Sequence, residues 1–447
     1  MFSPGDVGRF DGDAQLTKRR REAAEFAEAT GLPSFTEEVW RYSPIDDLDL
    51  DRYTLAVPGE TPTAGKGSSG TAGYDTVELS ASLEAGAAAV VSVVNGRFES
   101  AEVRSAGLTV RTLDCDYDVD GVAPAGTPAG DLLGSVMTEP VDVFAAANLA
   151  YTGSPIVVEV APGAVVDGPV LVRSRTDADA VAWFPRLVVV AGRDSEAVVV
   201  EQHTGADVEA LVCPVTELRV GDAARLSHVT VQQLGPRMWQ IAAQVAETGR
   251  DSSLGSHHIA LGGGYARARI DSRLAGTGGS AEVNAAYFGR GTTSLDFRTH
   301  QVHAGAHTTS NLLFKGALDD SSRAVYTGLI RIEPDAAGVS ALQTNRNLKL
   351  SPQAWSESVP NLEIENNDVM CSHASATGPV DAEQTFYLER LGVPPDTAEA
   401  LVVRGFFDDV LATLPVPEIG TAAGDRIAAL LADRAGAAGD PTARAAP

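Results

Sequence analysis

The chain has 447 residues, with 34 basic against 60 acidic side chains and a formal net charge of −26. Hydrophobic residues make up 44% of it, too many for a disordered protein and enough for a sizeable core. The acidic excess argues against broad contact with nucleic acid or an anionic membrane, whose phosphates it would repel.

Three cysteines, Cys115, Cys213 and Cys371, are too few and too scattered for a disulfide framework. No CxxC pair exists, which excludes a self-contained zinc or four-cysteine cluster site. The N-terminus carries no apolar stretch of the secretory kind. The longest apolar run, near Ala85 to Val94, is about half of the ~20 residues a membrane helix needs. The expectation is a soluble, cytoplasmic protein that touches no membrane.

Residues 1–150 read as a helical and mixed N-terminal region. Ala14 to Thr30 has apolar residues at helical spacing and is stopped by Gly31-Leu32-Pro33. Residues 57–73 are rich in Pro, Gly, Thr and Ser and read as a loop. The clearest strand before residue 138 is Ala89 to Val94, ending at the turn Asn95-Gly96. Residues 139–150 look helical again.

Over 151–365 the pattern changes to short alternating strands. In Thr293 to His303, Leu295, Phe297, Thr299 and Gln301 share one face, and Asp296, Arg298 and His300 share the other. Turns at Gly192, Gly221, Gly249, Gly278 and Gly305 follow one another at 27 to 29 residues, and Asp335 follows Gly305 by 30. Each period holds two strand-like runs, which points to a solenoid whose coils pair at ~4.8 Å. A sandwich of regular hairpins is the alternative.

Residues 366–436 read as a C-terminal helical domain. Asp381 is placed to cap a helix containing Phe386, Tyr387 and Leu391, and a second helix runs from Thr397 to Leu414. Ile427 to Arg434 suggests a third. The tail, 437–447, is Ala/Gly/Pro-rich and reads as disordered.

Few residues carry recognisable chemistry. Gly65-Lys66-Gly67 fails the phosphate-loop pattern, and Gly262 to Gly264 precedes no helix, so both read as loops. His300, His303 and His307 fall on different faces of an extended chain, which disfavours a shared metal. Asp271, Asp296, Asp319 and Asp320 could line an acidic face, as in a carbohydrate-active β-helix enzyme, but several adjoin turns where Asp serves the backbone. Cys371-Ser372-His373 differs from these. Thiolate and imidazole both ligate iron, and residues i and i+2 of an extended chain share a face. Two ligands do not complete a site, so a metal there would need groups from another chain. A thiol beside a histidine in a turn is the plainer reading.

The stretch from Pro360 to Gly378, NLEIENNDVMCSHASAT between them, resembles the SufB/SufD family of iron–sulfur cluster assembly scaffolds, and within it the SufD branch. Asp381 to Gly392 and Ala400 to Phe407 fit its C-terminal helices. Gln343 to Asn347, Asn95 to Phe98 and Glu38 to Tyr42 fit upstream. Thr344 stands where SufB carries a functional cysteine, and Met370 to Ala374 replaces its acidic segment.

The resemblance implies a mainly β fold, a right-handed parallel β-helix flanked by N- and C-terminal helical regions. It implies a non-catalytic subunit pairing with a SufB-like β-helix partner and docking a SufC-like ABC ATPase, and it allows a homodimer of the isolated chain. It places His373, and less directly Cys371, among the ligands of a transient iron–sulfur cluster at the SufB interface, with no cluster held by this chain alone. It places SufC docking at Phe386, Tyr387, Arg404 and Phe407. A SufB-like primary scaffold is the nearest alternative.

Overall fold

The computed structural model describes residues 2–60, 81–113, 116–117 and 129–438. Gly65-Lys66-Gly67, Cys115, most of the 57–73 loop and the tail from 439 lie outside the described residues.

The core is a parallel β-solenoid of about eight turns. Strands alternate between two sheets, so each coil contributes one strand to each. The first sheet runs from Ile156–Val160 through Arg186–Ala191, Val215–Val220, Trp239–Thr248, Tyr265–Leu274, Ser294–His303 and Arg323–Ile332 to Trp355–Ile364. The second runs from Val170–Thr176 through Glu196–Gly205, Arg225–Gln233, Ser253–Ala260, Ser280–Gly289, Thr309–Leu318 and Val339–Lys349 to Val369–Pro379. Arg225 pairs with Ser253, Ser253 with Ser280, Ser280 with Thr309 and Thr309 with Ser340, steps of 28, 27, 29 and 31 residues. The parallel register settles the solenoid against the hairpin sandwich.

Glycine sets the corners. A Cβ on Gly221 would lie 2.9 Å from the Ala191 carbonyl oxygen, and one on Gly276 would lie 2.1 Å from the Arg250 nitrogen. Backbone from successive coils meets too closely there for a side chain. The stacked position in this coil is thus Gly276. Gly278, expected there from spacing, instead belongs to a second column with Asp194, Ala223, Asp251, His307 and Gly338, all at positive φ. Each of these donates its N–H to the next coil, as Asp251 does to the Thr277 carbonyl at 3.0 Å.

Both sheets are covered on their outer faces. Helices Ala14–Thr30 and Val143–Tyr151, with the turns around Trp40 and Ile45, pack on the first sheet through Phe184, Leu211, Cys213, Ile241 and Tyr265. Helices Pro395–Leu411 and Pro417–Ala438 pack on the second through Val229, Ile259, Ala286, Phe288 and Ala317. The expected third helix starts ten residues earlier than its apolar run suggests. Its early glycines obscure the pattern: a Cβ on Gly420 would sit 2.9 Å from the Leu411 carbonyl oxygen, so Gly420 allows the two helices to approach.

Local signals hold at several ends. Asp13 caps the first helix by accepting from Leu16 N–H, Asp381 caps Ala382–Arg390, and Asn95-Gly96 forms its hairpin turn with both φ angles positive. That hairpin, Ala89–Val94 with Arg97–Val103, starts the second sheet.

Candidate functional site

The last coil carries the Cys-Ser-His motif. Val369–Pro379 is a strand of the solenoid, not a turn beyond it, so the repeats extend past 365 into the region expected to be helical. The strand escapes a periodicity reading because no coil of the described residues lies above it to demand an apolar inner face; residues 372 to 378 are all small or polar.

Cys371 pairs with Ala341, and His373 with Gln343. Ala341, Gln343 and Asn345 are buried and alternate with half-buried or exposed neighbours, so Cys371 and His373 belong to the inward-facing set of the final coil. Cys371 is half-buried against Ile330, Ile332 and Val339. Burial pushes its thiol pKa up, so the thiol is the weaker candidate for an anionic ligand. His373 is exposed. Further along the same coil, beneath Ser375 and Thr377, the floor is polar: Tyr287 donates to Asn347 at 2.7 Å, Asn345 donates to Tyr287 at 3.1 Å, and Asn347 donates to Asn345 at 3.0 Å. Across the rim, Ser356 and Thr377 hydroxyls share a hydrogen bond of 2.9 Å.

Thiol and imidazole suit iron, and they lie on one face as the spacing requires. They do not suffice alone: among the described residues no group of three His, Cys, Asp or Glu is placed to hold a metal ion.

The other candidates separate by environment. Phe386 and Tyr387 are 58% and 65% exposed on Ala382–Arg390, and Arg404 is exposed on the next helix. Leu391 and Leu401 are exposed as well, at 65% and 46%. Phe407 is a correction: it is 1% exposed and packs with Val403 and Val410 against Ala286 and Phe288, so it is a core residue.

The aspartates and histidines serve the fold. Asp296 is buried between Arg267 at 2.8 Å and Arg298 at 3.0 Å, beneath Trp40, whose ring stacks 3.9 Å from the Arg267 guanidinium. Asp271 pairs with Arg269, Asp319 with Arg434, and Asp320 accepts from Gly291 N–H in a corner. His303 lies inside the bore between Thr308 and Ser310, and burial lowers its pKa to about 4. His300 faces outward and His307 occupies a corner, so the three never meet.

Sequence reasoning missed a buried cluster inside the solenoid. Glu201 contacts His203 at 3.1 Å and His228 at 3.3 Å and accepts from Thr216 at 2.8 Å. Burial alone would raise the carboxyl pKa, but the two imidazoles outweigh it and hold it far below the usual range. Glu201 and His203 line a cavity of about 40 Å³, room for a few water molecules.

A family model described as "SUF system FeS cluster assembly, SufBD core domain" matches residues 174–406, more than half of the chain. The chain belongs to the SufBD family. It is 35% identical over 288 residues to the iron–sulfur cluster assembly SufBD family protein Rv1462 of Mycobacterium tuberculosis, covering 63% of this chain and 72% of that one. It is 29% identical over 238 residues to SufD of Bacillus subtilis, covering 53% and 54%. It is 24% identical over 404 residues to SufD of Escherichia coli, covering 88% and 89%. Among SufBD proteins it is SufD-like. The SufBD match begins within the solenoid and ends inside Pro395–Leu411, so it spans the last coil and its Cys-Ser-His strand.

Proposed function

We propose that this SufBD protein is the SufD-like subunit of a cytoplasmic iron–sulfur assembly scaffold, and that it has no catalytic activity of its own. The observation that carries the reading is the open last coil. Trp355–Ile364 and Val369–Pro379 are the end strands of their sheets, and His373 stands exposed on the second. Two sheet edges at one end of a solenoid suit a partner that also ends in parallel strands, which fits a SufB-like β-helix. The cluster is cargo. His373 supplies one ligand, Cys371 stands by as a lesser one, and the partner supplies the rest.

The exposed apolar residues Phe386, Tyr387, Leu391 and Leu401, with Arg404 beside them, suit docking of the SufC-like ATPase. No helix among the described residues is long and apolar enough to cross a membrane.

The test is affinity capture of the tagged full chain from native cytoplasm, read by mass spectrometry. Recovery of a SufB-like and a SufC-like protein together supports the assignment, and recovery of neither removes it. In a strain lacking the gene, His373→Ala should fail to restore cluster-enzyme activity while still capturing both partners, and Cys371→Ser should restore most of it. Full rescue by His373→Ala would refute the ligand role.

A further inference from the structure

We infer that Gln343 positions the imidazole of His373. This rests on the proposed ligand role of His373 and adds the group that holds the ring. Gln343 and His373 are register partners on adjacent strands, so they stack in one inward-facing column at a spacing of ~4.8 Å.

Gln343 is 3% exposed, and its amide oxygen Oε1 has no hydrogen-bond partner among the described residues, His373 included. A buried acceptor left without a donor is destabilising. The amide lies across the bore: a Cβ added at Gly328 in the opposite sheet would sit 2.4 Å from both Oε1 and Nε2. Only a residue without a side chain leaves that space. The neighbouring Asn345 and Asn347 are satisfied through Tyr287, so the unmet acceptor does not reflect a generally poor fit of this strand. Ser358 Oγ on the facing strand also lacks a partner among the described residues.

A neutral imidazole offers one N–H and one lone pair. A ligand histidine uses the lone pair, and its tautomer is fixed by whatever accepts the N–H. Gln343 Oε1 is an unmet acceptor in the His373 column, one strand away. Accepting that N–H would leave the second nitrogen of His373 for the open end of the solenoid. Gln343 thus acts through His373 and touches no cargo.

The test uses the full chain labelled with 15N-histidine at about pH 8, where an ordinary imidazole is neutral. Long-range proton–nitrogen spectra report the tautomer, and the His373 signals are those lost in His373→Ala. One dominant His373 tautomer is expected in the wild type. Gln343→Leu should give a mixture like that of a free imidazole, and Gln343→Glu, which keeps an acceptor, should restore the single form. Gly328→Ala displaces the amide without removing it and should also give the mixture, which covers the case in which Gln343→Leu fails to fold. A mixture in the wild type, or an unchanged tautomer in Gln343→Leu and Gly328→Ala, overturns the inference. In cells, Gln343→Leu should lower cluster-enzyme activity about 10–100-fold, with rescue by Gln343→Glu. If His373→Ala leaves that activity intact, the ligand reading fails by itself, and the spectra still decide whether Gln343 holds the ring.

Discussion

Lys315 donates to both carboxylate oxygens of Asp409 at 2.6 Å and to the Phe406 carbonyl at 2.8 Å, with its ammonium 4.6 Å from the centre of the Phe406 ring. Its stem is buried on the outer face of the second sheet, so this group ties helix Pro395–Leu411 to the solenoid.

Lys315→Met keeps the stem and removes the charge. Asp409 is exposed and can turn to water, so the loss is discounted to about 1–2 kcal/mol. It should also be local. Hydrogen exchange is expected to rise over 395–411 while 280–289 stays protected, and an equal rise in both would remove the tie.

Glu217 does for the N-terminal region what Lys315 does for the C-terminal one. It is fully buried, pairs with Arg186 at 2.6 Å, and accepts from the backbone N–H groups of Gly134, Val136 and Met137 at 2.7 to 2.9 Å. Burial by itself would raise its pKa; Arg186 and the three N–H groups outweigh that and lower it below the ordinary 4.5. A depressed carboxyl stabilises the fold above its unfolded pKa, and the contribution is lost as pH falls through the folded value. Glu217→Gln should therefore cost on the order of 3–5 kcal/mol at neutral pH. The gap from wild type should narrow progressively below about pH 4.5 in urea titrations; a gap that widens with acid would contradict the assignment.

Leu295 points into the bore and is 0% exposed among Phe297, Phe314 and Ile270. Leu295→Ala should cost about 2–5 kcal/mol, because the flanking coils hold the cavity open. Denaturant unfolding measures this, with β-type circular dichroism unchanged before the transition.

Phe386 and Phe407 should part company. Tyr387→Asp or Phe386→Asp places a charge on an exposed surface and is expected to leave the melting curve nearly unchanged while weakening capture of the SufC-like ATPase. Phe407→Asp buries that charge beside Phe288 and should destabilise the C-terminal helices outright. Equal effects on melting would mean that the exposed pair is structural.

The period of the solenoid was legible because close backbone contact recurs at Gly192, Gly221 and Gly249, and only glycine meets it. The strand bearing His373 was not, since an end coil has no neighbour above to impose alternation. Phe386 and Phe407 look alike in a helical pattern because both helices are apolar on more than one side, and only the packed sheet distinguishes them. Glu217 and its partners lie up to 83 residues apart, a pairing that no local pattern records.

The two ends of the solenoid are unequal. The first coil is closed by the antiparallel strands Arg97–Val103 and Leu108–Arg111, the former set with Arg97, Glu99 and Glu102, whereas among the described residues no strand pairs with the two parallel edges of the last coil. Strand edges invite addition, and a rod open at both ends would polymerise. A rod with one open end can be joined only once. Were two such ends to meet, both would be hidden and the charged caps would face outward, so growth would stop at a pair.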